Sequence, residues 1–150
     1  MINLIALLII CFSPHNDCAL FVIDAINSAE DHIDMAAYSL TDPEIIDAVS
    51  RKADDGISVR IILDEVQAAN KASITKSKTS VRNVCIEDKS GLMHNKFIVI
   101  DNKYVITGSY NFTLNARRKN AENLIVSDDQ STIFQYQIEF NNLWREYSCE

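Results

Sequence analysis

The sequence predicts an α/β protein, with helices layered on both sides of a mixed sheet, and three observations carry that prediction. Short runs rich in Ile, Val and Leu alternate along the chain with longer amphipathic segments, the pattern of strands separated by helices. Helix start and stop signals fall between those runs, as at Thr41-Asp42-Pro43-Glu44 and Gly56. With three Gly and two Pro in 150 residues, no stretch reads as a linker or a low-complexity segment. A chain of this length buries roughly two thirds of its unfolded surface. One domain over residues 1–150 is therefore expected.

The elements follow in order. Asn3 to Phe12 is an apolar strand, and Asp17 to Ala29 a helix. Ile33 to Tyr38 reads as a strand, followed by a helix from Thr41, where Thr41 to Glu44 makes a capping box with Pro in the first turn and Gly56 supplies the stop. Ile57 to Asp64 is the next strand, Gln67 to Lys76 a weaker helix, and Val81 to Ile86 a strand. Leu92 to Ile100 alternates and is rich in Ile and Val. Tyr104 to Thr107 is a short strand that ends in a tight turn at Gly108-Ser109, Leu124 to Val126 another apolar run, and Ser131 to Tyr147 a long amphipathic helix.

The first ten residues admit two readings. Ten to twelve apolar residues are too few to span a bilayer, no Lys or Arg precedes them and no small-residue cleavage site follows, which favours a buried strand. A degenerate export signal is the other reading, so a cytoplasmic location and a periplasmic or secreted one both stay open. Cys11, Cys18, Cys85 and Cys149 are irregularly spaced and indicate neither a zinc site nor a redox motif. Cys11 and Cys85, on expected strands, read as small core hydrophobes, and a bridge from Cys149 has no support in the sequence.

Chemistry concentrates between residues 94 and 111, where His94, Lys96, Asp101, Gly108, Ser109 and Asn111 are spaced as H-x-K-x(4)-D-x(6)-G-S-x-N. The alternating run Leu92 to Ile100 reads as a strand, and His94 and Lys96 project from the same face of it. A neutral imidazole can attack phosphorus while an ammonium and an amide neutralise the charge that accumulates on its oxygens. Lys96, pointing inward from an Ile- and Val-rich run, is costly to bury unless it meets an anion. His15 and His32 lack such company and read as hydrogen-bonded core residues. Asp101 also suits a turn before Asn102-Lys103, and Ser109 and Asn111 also suit helix capping of Phe112 to Ala116.

The net charge of −7 argues at first against a polyanionic substrate. The charge is uneven, however: residues 1–70 hold 3 basic and 12 acidic side chains, residues 71–120 hold 10 and 3, and residues 121–150 hold 1 and 6. The motif-bearing third is the positive one. Within it Lys103, Arg117, Arg118 and Lys119 are candidates for substrate binding, the last three because they follow the G-S-x-N turn directly.

The H-x-K-x(4)-D element with its trailing G-S-x-N resembles the signature of the phospholipase D superfamily. Phe12-Ser13-Pro14, Ala25 to Ala29, Met35 to Thr41 and Asn120 to Asn123 also look like its small, single-motif bacterial endonucleases. The resemblance implies a phospholipase D/nuclease-like fold and a phosphodiesterase with His94, Lys96, Asn111 and Glu122 catalytic and Asp101, Gly108 and Ser109 supporting. Glu122 would accept a hydrogen bond from the imidazole of His94. One motif copy implies a homodimer whose composite active site brings two His94 residues together. No metal or other cofactor is implied. The expected reaction is a double displacement through a phosphohistidine, with DNA, or RNA, as substrate. A phospholipid is the alternative substrate, and a membrane lipid the partner in that case only.

Overall fold

The structure, a computed structural model, describes residues 7–87 and 91–149. The elements are β1 (Leu8–Ser13), α1 (Cys18–Asn27), β2 (His32–Ala37), α2 (Pro43–Asp54), β3 (Ser58–Asp64), α3 (Glu65–Ala68), a 3-10 turn at Ile74–Lys76, β4 (Asn83–Glu87), β5 (Lys96–Ile100), β6 (Tyr104–Gly108), α4 (Leu114–Arg118), β7 (Glu122–Ser127) and α5 (Gln130–Glu146). Seven strands form one sheet in the order β1-β7-β6-β5-β2-β3-β4. β2, β3 and β4 run parallel, and the remaining pairs are antiparallel. This is the mixed, layered α/β fold that the alternation of runs predicts.

Strand parity divides the core in two. Ile33, Met35, Ile61, Leu63, Ile98, Ile100 and Ile106 pack with Val22 and Ile26 of α1 and with Ile45 and Val49 of α2. Ala36, Ile62, Phe97, Val99 and Val105 point to the other face and meet Ile133, Phe140 and Leu143 of α5. With helices on both faces, β5 is buried at every position, so its sequence is continuously apolar after Lys96.

Several local expectations change. β5 begins at Lys96, and Leu92 to Asn95 form a connection in which the His94 N–H turns back to the Leu92 carbonyl (2.9 Å). The helix expected over Gln67 to Lys76 is broken: Asn70 and Ser73 accept from the nearby N–H groups of Ala72 (2.9 Å) and Thr75 (3.4 Å), which competes with a continuous ladder. Asp42, not Thr41, caps α2, accepting from Glu44 N–H at 3.0 Å, while the Thr41 N–H serves the Phe112 carbonyl. The first strand is seen from Leu8, and the expectation for Asn3 to Ala6, export signal included, lies outside the described residues. His15 is exposed in the turn after β1 rather than in the core, and His32 is half-buried beside Asp31.

Cys11 is buried in the core as expected, but all four cysteines are paired. Cys11 bonds Cys18, joining β1 to the start of α1, and Cys85 bonds Cys149, joining β4 to the segment after α5. Sequence spacing cannot foresee the second pair, because its partners are 64 residues apart and meet only through the sheet order.

Asp101 lies in the β5–β6 turn with φ of 53°, and its carboxylate accepts from the backbone N–H groups of Glu30 (2.8 Å), Asp31 (2.9 Å) and His32 (2.8 Å). Burial works against the charged form, but these three donors and the neighbouring Lys103 outweigh it and hold the carboxyl below its ordinary pKa. A folded-state pKa below the unfolded one stabilises the fold above the unfolded value, about 4, and that contribution is lost as pH falls through the folded value. Asp101→Ala should therefore cost about 3 kcal/mol at neutral pH. Urea denaturation of both proteins would check this, with the difference shrinking below about pH 4.

Candidate active site

The antiparallel order of the central strands gathers the motif at one end of the sheet. β5 starts, β6 ends and β7 starts at the same edge, so Lys96, Gly108 and Glu122 become neighbours although 26 residues of sequence separate the first from the last. A cleft of about 530 Å³ opens there, lined by His94, Lys96, Ser109, Asn111 and Glu122 together with Thr107 and Tyr136.

Gly108 makes the close approach possible. Its φ is 150°, and a Cβ at this position would stand 2.2 Å from the Asn123 carbonyl oxygen. The contact lets Ser109 N–H donate to that same carbonyl (3.1 Å) and lets Ser109 Oγ accept from Asn123 N–H (3.1 Å). Ser109 Oγ in turn donates to Glu122 (2.5 Å), whose other oxygen accepts from the Asn120 amide (3.0 Å). Within one chain, then, Glu122 is engaged by Ser109 and Asn120, and not by the imidazole expected to use it. Asn111 Oδ1 is buried without a hydrogen-bond partner.

Lys96 is 9% exposed. Its Nζ donates to the His94 carbonyl (2.5 Å) and sits 4.8 Å from the centre of the Tyr38 ring, so its charge is met by a backbone oxygen and an aromatic face. Burial pushes its pKa down, while the carboxylates of Glu122 and Asp64 push it partly back. The imidazole of His94 is exposed and touches the Tyr38 ring, with centroids 4.6 Å apart.

Not every expected residue reaches the cleft. Asp101 and Lys103 lie in the β5–β6 turn, at the far end of both strands, and Lys103 pairs with Glu30 at 2.6 Å. Asp101 therefore supports the fold, not the site. Arg117 is 8% exposed and is consumed by Asp17 (2.7 Å), Glu44 (2.9 Å) and Asp42 (3.6 Å). Its hydrogen bonds to Asp17 hold its pKa above the usual arginine value, and the same cluster surrounds buried Tyr110, whose hydroxyl is pushed up by desolvation. Adjacency to the motif misled here, because α4 turns that one side chain inward. Arg118 and Lys119 are exposed, just before Asn120 and Glu122 in sequence, and neither lines the cleft. Thr113 caps α4 through Ala116 N–H (3.1 Å), which leaves Ser109 and Asn111 free of that duty.

Three neighbours of the site escape sequence reasoning. Tyr38 arrives through the register that pairs Ala37 with Lys96, extended by Tyr38 N–H to the Asn95 carbonyl (2.8 Å). Thr107 and Tyr136 meet through their hydroxyls at 3.0 Å and join β6 to α5 in the cleft wall. Hydrophobic periodicity marks Tyr136 only as a helix residue.

Chemically, the cleft offers an exposed imidazole, a buried cation and hydroxyl and amide groups around one open volume, an arrangement suited to an anionic tetrahedral centre. Among the described residues no cluster of His, Cys, Asp or Glu is arranged to hold a metal ion, and no helix is long and apolar enough to cross a membrane.

The family described as "Cardiolipin synthase, PLD-like domain" matches residues 22–144. A phospholipase D of Rickettsia conorii is 39% identical over 127 residues, covering 84% of this chain and 64% of the relative. A mitochondrial cardiolipin hydrolase of Xenopus tropicalis is 33% identical over 139 residues, 91% of this chain and 66% of the relative. The chain thus spans just under two thirds of the length of these curated relatives. Among solved structures, the phospholipase D family member Nuc from Salmonella typhimurium superposes with a TM-score of 0.85 at 30% identity, covering 93% of this chain and 95% of the other. NucT from Helicobacter pylori gives 0.84 at 29%, covering 93% and 96%.

Proposed function

The chain belongs to the phospholipase D superfamily, and on that premise we propose that it is a phosphodiester hydrolase acting on nucleic acid as a metal-independent, sequence-nonspecific endonuclease. The observation that carries the reading is the exposed imidazole of His94 opening on the same cleft as the buried Lys96, whose ammonium is held by the His94 carbonyl. The exposed Arg118 and Lys119, within the basic third of the sequence, favour a phosphate backbone.

In the proposed reaction His94 attacks phosphorus and forms a phosphohistidine as the P–O bond to the leaving group breaks. The leaving oxygen takes a proton from a second imidazole. Water, deprotonated by that second group, then cleaves the P–N bond and restores the first His94. Lys96, Ser109 and Asn111 stabilise the charge on the phosphoryl oxygens, and Glu122, through its field on Lys96 and its bond to Ser109, keeps both in place. One chain contributes a single histidine to the cleft. On this reading the second imidazole comes from a second copy of the domain, and two coupled imidazoles give a bell-shaped rate profile that belongs to the pair.

A lipid phosphodiester is the second reading. It is supported by the names of the curated relatives and by Leu92, 61% exposed two residues before His94. Incubation with supercoiled plasmid in excess EDTA separates the two. Nicking is expected, with specific activity falling on dilution as the dimer dissociates. Intact plasmid, single-stranded DNA and RNA, together with headgroup release from phosphatidylcholine or cardiolipin vesicles, would replace the nuclease reading with the lipid one.

A further inference from the structure

We propose that Tyr38 is a positioning residue that holds His94 and Lys96 at their working separation, an inference that rests on His94 being the nucleophile. His94 stands in the connection before β5, ahead of the ladder that fixes Lys96, and its side chain is exposed. An imidazole in that situation samples several rotamers, only some of which face the cleft. Glu122, the carboxylate that would steer it, already receives Ser109 and Asn120.

Tyr38 is what the imidazole touches. The two ring centroids are 4.6 Å apart with planes inclined at 54°. The same tyrosine ring carries Lys96 Nζ at 4.8 Å, and that Nζ returns to the His94 carbonyl at 2.5 Å. Ring, imidazole, backbone carbonyl and ammonium close a circuit, so displacing one member displaces the others. The tyrosine itself is pinned at both ends. Its N–H donates to the Asn95 carbonyl at 2.8 Å, and its hydroxyl accepts from Gln67 Nε2 at 3.3 Å. Gln67 is in turn anchored by its own N–H to the Asp64 carboxylate that caps α3 (3.2 Å). Tyr38 is not among the cleft-lining side chains, so it stands behind the two reacting groups and acts through them.

The chemistry of the ring suits the task. Its negative face attracts an ammonium and its apolar body excludes water from one side of the imidazole. Both effects require the ring and not the hydroxyl, which separates this role from proton transfer by a phenol.

The test compares Tyr38→Leu, Tyr38→Phe and His94→Ala on a small chromogenic phosphodiester, bis(4-nitrophenyl) phosphate, with thermal midpoints recorded for each. In parallel, the ring protons of His94 are followed by NMR in histidine-labelled protein. Tyr38→Leu is expected to lower kcat roughly 10- to 100-fold, the range that misplacement of a reacting group costs. KM should change less than kcat, because the loss falls mainly on the placement of the attacking imidazole. The His94 ring protons, displaced by the tyrosine ring current, should move toward their ordinary positions. Tyr38→Phe should retain turnover and leave those protons in place. Wild-type kcat in a folded Tyr38→Leu variant, or equal losses in the Leu and Phe variants, would overturn the proposal. Turnover surviving in His94→Ala would instead sink the nucleophile reading, and the ring-proton shifts would still decide whether Tyr38 holds the imidazole.

Discussion

His94→Ala should abolish turnover while leaving the fold intact. The loss expected for a nucleophile is on the order of 10⁴-fold or more, the residual rate coming from the groups that still bind the phosphoryl oxygens. Stability should change by no more than about 0.5 kcal/mol, since an exposed side chain outside both apolar clusters is removed. Its contact with the Tyr38 ring is the interaction that disappears. Plasmid nicking in EDTA, circular dichroism and urea denaturation, measured on one preparation, check the three parts. Substantial cleavage by the folded variant would remove His94 from the reaction and shift attention to an activated water.

Gly108→Ala should be the most damaging single-methyl change near the site. The added carbon would lie 2.2 Å from the Asn123 carbonyl oxygen, 2.9 Å from its carbon and 3.0 Å from its side-chain oxygen. Asn123 cannot yield easily, because β7 is held on one side by β1 through the Phe12–Asn123 pair and on the other by β6 through the Gly108–Leu124 pair. A backbone φ of 150° adds strain that an L side chain resists. A cost of about 4 kcal/mol is expected, at the severe end for point substitutions and a large share of the 5–15 kcal/mol that holds a typical domain together. Ser109 and Asn111 follow directly, so turnover should fall further than the folded fraction does. Equilibrium urea unfolding alongside nicking assays measures both, and an unchanged midpoint would mean that β6 and β7 can separate without penalty.

What could be read from the sequence was governed by the range of the interactions involved. Apolar runs such as Phe97 to Ile100 and capping groups such as Asp42 act within a few residues and announced the layered fold and most of its elements. The G-S-x-N turn was legible because a glycine and a short polar residue are required there for local geometric reasons. Features that depend on the sheet order were not. Cys85 finds Cys149, and Tyr38 finds His94, only because β2 pairs with β5 and α5 closes one face. Adjacency to the motif also misled. Arg117 follows the turn yet belongs to an acidic cluster, and Asp101 and Lys103 carry signature or basic character yet lie a full strand away from the cleft. The helix expected after Gln67 failed for a local reason: Asn70 and Ser73 offer their side chains to backbone N–H groups that a helix would need.

The pairing of β1 with β7 has a consequence in time. During synthesis the first strand emerges long before β7, its only strand neighbour among the described residues, which ends at Ser127. At ribosomal speeds that interval is on the order of ten seconds. Through it Leu8, Ile10 and Phe12, which remain 60%, 58% and 56% exposed even in the finished sheet, have no strand to lie against. The Cys11–Cys18 bridge, closing over 7 residues, can tether this segment to the first helix early, whereas Cys85 must wait for Cys149. The nascent protein is thus most adhesive along the edge that it completes last, and crowding of unfinished chains should select β1 as the point where they stick.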